Sequence, residues 1–198
     1  MLGKAAIVMW WDVAPEMRAE WEDWHTSEHM PERLAIPGFL RGTRWIALSG
    51  EPSYFVTYEA ARWATISSGA YLERLNDPTP WSRKMMPHHR NMVRSLCEVR
   101  SGWGGGLPPM LATVRFSPRA GVLPRLAPRK GLTGAHLLES RPMGGAPTTE
   151  QKIRGGDASA DWVLLVGGHD AEAVKSGLPE GIVNLYRPAY SLSAGEIA

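Results

Sequence analysis

One cysteine, Cys97, stands in the whole sequence, so no disulfide can form within the chain, and a reducing, cytoplasmic setting is the expectation. An excess of one charge is also missing. Twenty-two basic residues are dispersed among 20 acids for a formal charge of +2, too mild a balance to point to nucleic acid. Long hydrophobic runs are absent as well. The longest, Ala5 to Trp11, ends at Asp12; a membrane-spanning helix needs about 20 apolar residues. No small-residue cleavage region follows the run, as one would in a signal peptide. Neither nucleic acid nor a membrane is expected as a partner, and the run reads as a buried strand.

Tryptophan, by contrast, is abundant: nine residues. Large aromatics fill cores and also wall apolar ligand pockets. Around them the pattern predicts a strand over residues 5–13, then a helix over 15–29 that starts at Pro15 with acids Glu16 and Glu20 in its first turns. Pro31 should kink or end that helix, leaving a short turn over 31–36 closed by Pro37-Gly38. Strands over 40–48 and 53–60 follow as a hairpin, then a helix over 63–75 with an irregular Pro-rich extension, then a strand over 91–99. The order is β-α-β-β-α-β, the ferredoxin-like arrangement.

A Gly-rich stretch, Gly102 to Pro109, reads as a linker. It lacks the Lys-Ser/Thr of a phosphate loop. Beyond it the same order returns with less helix: strands within 110–117, 134–141, 161–168 and 181–192, and a helix over 171–178. Residues 142–160 read as a flexible loop without chemistry of its own. One ferredoxin-like unit leaves a sheet face bare, and a second copy can cover it. The expected fold class is therefore α+β, with units at 1–101 and 109–198 whose sheets pack face to face.

The chemistry concentrates in Trp21 to Phe39, "WEDWHTSEHMPERLAIPGF". On a helical wheel Met17, Trp21, Trp24, His25, Glu28 and Glu32 share one face, with His29 at its margin and Met30 on the other side. A buried Glu28 would need a donor, and His25 is three residues away. His25-Thr-Ser-Glu28-His29 also matches H-x-x-E-H, a zinc-peptidase pattern. A catalytic zinc wants a third protein ligand, and Pro31 disturbs the helix beside His29, so no metal is expected.

The wider window, "DWHTSEHMPERLAIPGFLRGTRW", resembles EthD-like proteins of the dimeric α/β-barrel superfamily. His29-Met30-Pro31 matches the family's His-x-Pro element, Trp24 its aromatic and Pro37-Gly38 its turn. The resemblance covers about the first 100 residues and implies an intramolecular dimeric α/β-barrel built from tandem ferredoxin-like units. It further implies cofactor-free chemistry on a small aromatic or polyketide-like molecule: cyclisation, isomerisation, decarboxylation or oxygenation.

Imidazole titrates near neutral pH, which makes His29 the first candidate acid/base, with His25 and Glu28 as partners and a rate that titrates near pH 6–7 unless burial moves it. Arg33 could bind a carboxylate or enolate oxygen. Trp24 on the helix, and Trp10, Trp11, Trp45, Tyr54 and Tyr58 on strands, are candidate pocket walls, split between faces by strand alternation. Arg83, Lys84, His88, His89, Arg90 and Arg94 read as a solvated basic edge that could also draw in an acidic substrate. Cys97 reads as core. The expectation is thus a cofactor-independent lyase, isomerase or monooxygenase acting on a small molecule, with a homodimer possible through exposed sheet or helix faces. The alternative is a non-catalytic module that binds a small ligand, of binding or stress-related type.

Overall fold

The computed structural model describes residues 1–118, 121 and 123–197. Among these, eight antiparallel strands form one closed barrel: β1 (Ala5–Val13), β2 (Phe39–Ala47), β3 (Tyr54–Ala60), β4 (His89–Gly104), β5 (Met110–Phe116), β6 (Leu132–Ser140), β7 (Trp162–Gly168) and β8 (Ile182–Ser193). Around the barrel the order is β1-β3-β2-β8-β5-β7-β6-β4. The first four strands thus lie together as β4-β1-β3-β2 and the last four as β8-β5-β7-β6. The two sets are joined edge to edge, Arg41–Ala47 of β2 against β8 and Cys97–Gly104 of β4 against β6. The expected pair of separate sheets packed face to face is corrected by these two seams. Four strand edges would otherwise present unpaired amides, and closing the sheet satisfies them all.

Strand alternation then sorts the aromatics. Ala6, Val8 and Trp10 of β1 point into the barrel with Trp45, Phe55, Cys97 and Tyr186. Ile7, Trp11 and Val13 point outward, with Tyr54 and Tyr58, beneath the helices. This explains the unbroken apolar run of β1, which is buried on both faces. Inside the barrel Trp10 Nε1 donates to Thr113 Oγ1 at 3.1 Å, linking β1 to β5.

The first helical segment departs from expectation. After a 3-10 turn at Pro15–Met17 come α1 (Arg18–Trp24), a π turn (His25–His29) and α2 (Met30–Leu34), with helical dihedrals kept at each junction. Pro31 does not break it. The π turn bonds the Met30 amide to the His25 carbonyl, five residues back, and Pro31 falls in the first turn of α2, where a missing N–H is tolerated. The extra residue in the turn re-phases the helix, so Met30, placed outside by the ideal wheel, is fully buried.

Elsewhere the expected second helix splits into α3 (Trp63–Ile66) and α4 (Gly69–Asn76), the latter capped by Ser68, whose hydroxyl accepts from the Tyr71 amide. The Pro-rich extension is ordered too: Thr79 caps α5 (Pro80–Met85). Residues 142–160 carry α6 (Thr149–Arg154), with a Thr148/Gln151 capping box and Gly155 in the left-handed conformation at its end. The remaining helix is α7 (Ala171–Lys175). No described helix is long and apolar enough to cross a membrane.

The stretch expected as a linker from Gly102 is still strand up to Gly104, because it pairs with β6. A Cβ at Gly102 would stand 2.9 Å from the Ala135 carbonyl oxygen and closer still to the His136 ring. Gly102→Ala is therefore expected to lose about 1–3 kcal/mol of stability, read by urea melts. An unchanged midpoint would argue against this β4–β6 seam.

Candidate functional site

The outward face of β1 and β3, the π turn, α4, the start of β4 and α6 enclose a cavity of about 30 Å³. Its walls include Trp11, Trp24, His25, His29, Tyr58, Tyr71 and His89, and its cations are Arg33, Arg94 and Arg154. The π turn sets the His25 and His29 rings 5.8 Å apart. Trp21 stacks on His25 at 4.9 Å, and Trp24 lies 4.4 Å from His29.

Hydrogen bonding assigns the imidazole protons. Arg44 can only donate, and its Nη1 lies 3.5 Å from His25 Nδ1, so the His25 proton sits on Nε2, facing the Tyr58 hydroxyl at 3.3 Å. The Tyr58 hydroxyl proton is then free to donate elsewhere. His89 Nε2 accepts from Trp21 Nε1 at 2.8 Å, which leaves the His89 proton on Nδ1. His29 differs from both. Its Nδ1 faces Glu32 Oε2 at 4.0 Å, beyond hydrogen-bond range, and no hydrogen bond among the described residues engages its Nε2.

The ion pairs are internal. Glu150 reaches in from α6 to accept from Arg33 Nη2, with both side chains at least 96% buried (3% and 4% exposed). Its other oxygen faces Arg154 Nη1 at 3.4 Å, and Arg154 holds Asp157 through bonds of 3.1 and 2.8 Å. Among the described residues the Arg94 side chain donates to the Tyr71 hydroxyl, at 2.8 Å. Buried polar atoms without a hydrogen bond among the described residues gather here: Trp11 Nε1, His29 Nδ1, Glu32 Oε2 and Arg33 Nη1, the last two facing each other at 3.9 Å. Such clustering is characteristic of sites awaiting a ligand or reaction.

Burial, reinforced by the guanidinium groups, holds all three imidazoles neutral. His25 is pushed well below the ordinary histidine range by burial and then by Arg44, and His29 by burial and then by Arg33. His89 falls to about 3 through burial and Arg154. Burial raises the Tyr58 hydroxyl, which stays protonated, and also raises Glu32 against the pull of Arg33 and Arg74. Arg33, which burial alone would lower, is raised overall by Glu150. The site therefore offers a neutral imidazole, a hydroxyl donor and fixed positive charge on one aromatic-walled space.

No family model matches the sequence, and no curated protein matches it. Solved structures do. An anthrone oxidase-like protein aligns over 100% of this chain and 96% of its own, at TM-score 0.57 and 11% identity. A Lactobacillus acidophilus protein with a provisional monooxygenase name aligns over 96% and 97%, at TM-score 0.51 and 9% identity. The chain thus shares the overall fold of these two structures. At such identities the likeness extends to the fold alone.

Of the residues singled out in the sequence, His25, His29, Arg33, Trp24 and Tyr58 line this one cavity. Glu28 does not join them: it accepts from Trp24 Nε1 at 3.1 Å and Thr79 Oγ1 at 2.6 Å and so ties α1 to α5. The carboxylate nearest His29 is Glu32, three residues on and already on the inward face of the wheel. Trp10 and Trp45 point into the barrel, away from the cavity. Tyr54 packs on Trp21 and donates to Glu22 at 2.5 Å, outside the cavity. Arg33 is neutralised by Glu150 and not left open for a substrate. His89 and Arg94 leave the supposed basic edge to line the cavity, while Arg83, Lys84 and Arg90 remain exposed. Glu150 and Arg154 come from the stretch that had read as a loop without chemistry; the Thr-x-x-Gln spacing of their capping box was its one visible helix signal.

At H-x-x-E-H, Glu28 turns away from the two imidazoles, and no group of three potential metal ligands converges among the described residues. The neutral histidines give a pH dependence with a definite sign. Their folded pKa values lie below the unfolded value of about 6.5, so the unfolded chain binds more protons at acid pH. Stability is complete above about pH 6.5 and declines below it, by roughly 1.4 kcal/mol per pH unit for each histidine involved. Urea melts at pH 7.5 and 5 should differ accordingly, and His89→Gln should shrink the difference. Equal stability at both values would contradict the assignment.

Proposed function

We propose that the protein is a cofactor-independent small-molecule enzyme whose key step is removal of a proton from an aromatic or polyketide-like substrate by His29. One observation carries this reading: His29 is neutral, its Nε2 is unengaged, and it borders an aromatic cavity beside fixed guanidinium groups. A base must be unprotonated at working pH, and burial secures that. The same burial makes His29 a weak base in the empty site. A developing substrate anion offsets this, because it stabilises the imidazolium formed next to it.

In this reading Nε2 takes the proton from an acidic C–H or O–H. The new charge on Nδ1 meets Glu32, which a closure of about 1 Å would bring into hydrogen-bond range. The substrate oxygen that gains negative charge is stabilised by the Tyr58 hydroxyl and the arginines, preorganised in a dry site. An enolate or carbanion so formed leads to isomerisation by reprotonation at another carbon, to cyclisation onto a carbonyl of the same molecule or, with dioxygen as co-substrate, to oxygenation. Decarboxylation would give the same kind of anion by loss of carbon dioxide in place of a proton. The names of the two structural neighbours favour oxygenation of an aromatic compound among these.

His29-Met30-Pro31 supports an EthD-like ancestry, and the strand orders support reading residues 1–101 and 109–198 as two ferredoxin-like units. His25, held between Arg44 and Tyr58, is assigned to orienting that hydroxyl.

The step can be followed without knowing the natural substrate, through deuterium exchange at the acidic carbon of 2-tetralone, a neutral aromatic ketone. His29→Ala should slow enzymatic exchange by roughly 10²–10⁴-fold, and Glu32→Gln by less. Between pH 6 and 7 the rate should stay level, in contrast to the titration expected of an ordinary histidine. A folded His29→Ala protein that exchanges at the native rate would end the proposal and leave the binding-module alternative ahead.

A further inference from the structure

The cavity is too small for any aromatic substrate. Its volume of about 30 Å³ holds one or two waters, whereas small-molecule sites typically measure about 300–1,000 Å³. On the far side of α6 lies an open cleft of about 680 Å³, and Leu75 and Arg94 border both spaces. The short helix α6 is the partition: Thr148 and Gln151 face the cleft, while Glu150 and Arg154, one turn apart, face the cavity. From the tip of α4, Asn76 Oδ1 fastens its first turn by accepting from the Thr149 amide at 3.0 Å and hydroxyl at 3.4 Å.

Charge says what can replace the partition. Arg33, Arg94 and Arg154 border the cavity, and the carboxylates paired with them are Glu150 and Asp157, with Glu32 more distant at 3.9 Å from Arg33 Nη1. With Glu32 already held by Arg74 at 2.6 Å, the set carries one positive charge more than it neutralises. Withdrawing Glu150 would leave two. Few groups match that vacancy better than another carboxylate, since a planar guanidinium prefers a bidentate oxygen acceptor.

We infer that Glu150 is a built-in stand-in for substrate, and that the pocket takes an aromatic acid whose carboxylate displaces Glu150 from Arg33 as α6 swings out and merges the cavity with the cleft. This rests on the acid/base reading of the same cavity and adds the substrate class to it. Closure by α6 also keeps most bulk water from the histidines when no substrate is bound, so the partition is a gate as well as a plug.

The probes are 2-naphthoate and its neutral isostere 2-naphthamide, with binding followed by quenching of the tryptophans around the cavity. Glu150→Gln should bind 2-naphthoate roughly tenfold tighter or more than the native protein, and in the variant 2-naphthamide should bind roughly tenfold weaker or more than the acid, because it offers Arg33 no charge. Equal affinity of the variant for both probes, or no gain for the acid, would overturn the inference. A second arm uses the native protein and so does not depend on the variant folding. Saturating 2-naphthoate should accelerate hydrogen exchange of the amides in residues 149–154, and unchanged or slower exchange there would overturn it. 2-Tetralone carries no carboxylate and enters only when α6 opens of itself, so its exchange is slow in the native protein but reports on the base separately. Loss of the naphthoate effects with tetralone exchange intact would reject the substrate class alone.

Discussion

The ion pair between Arg33 and Glu150, two side chains 117 positions apart and almost wholly out of water, governs the arrangement around it. A guanidinium buried alone would cost several kcal/mol, and removing its partner from a buried pair typically costs about 3–5 kcal/mol. Glu150 can reach Arg33 only if residues 148–154 wind into a helix and lie against the first-half elements. That helix seals the cavity, dryness lowers the histidines, and the remaining arginines hold them neutral. The electrostatic character of the site follows from one contact made between the two halves of the chain.

Barrel closure supplies the rigid background. With both seams paired, the sheet has no free edge along its joined strands, and each strand presents one face to the interior and one to the helices. The high tryptophan content divides along the same line. Trp10 and Trp45 are packing residues inside the barrel, whereas Trp11, Trp21 and Trp24 surround the imidazoles. Rings of this size hold their rotamers firmly, which fixes His25 and His29 within a fraction of the space a mobile wall would allow.

How far the sequence disclosed this depended on the range of the interaction. Local signals served well: β1 spans 5–13 as its apolar run indicates, and Trp24 and His25 lie on the face that the helical period selects, with His29 at its margin; Arg33 stood out by its charge and not by its phase. Glu32 was on that face too, but choosing Glu28 as partner relied on an ideal wheel that the π turn distorts. Long-range features were hidden. Alternation divides Trp10 from Trp11 without saying which side holds the site, and only the packed helices decide it. The role of Glu150 was the least legible, because its partner is 117 residues away and its surroundings are rich in Gly and Pro. Pro31 misled for the opposite reason: a rule true of α-helices was relaxed by a neighbouring turn of another kind.

The most direct measurement of the account is the protonation of the His29 ring itself. Nitrogen-15 NMR of the protein labelled in its imidazoles, with His29 assigned by the loss of its signals in His29→Gln, distinguishes neutral from charged rings at each pH. The account expects the His29 nitrogens to keep the widely separated shifts of a neutral tautomer from pH 8 down to pH 5, with no titration near the ordinary value of about 6.5. A His29 that titrates near 6.5 would mean that water reaches the ring and that the arginines do not control it, which would contradict the central claim.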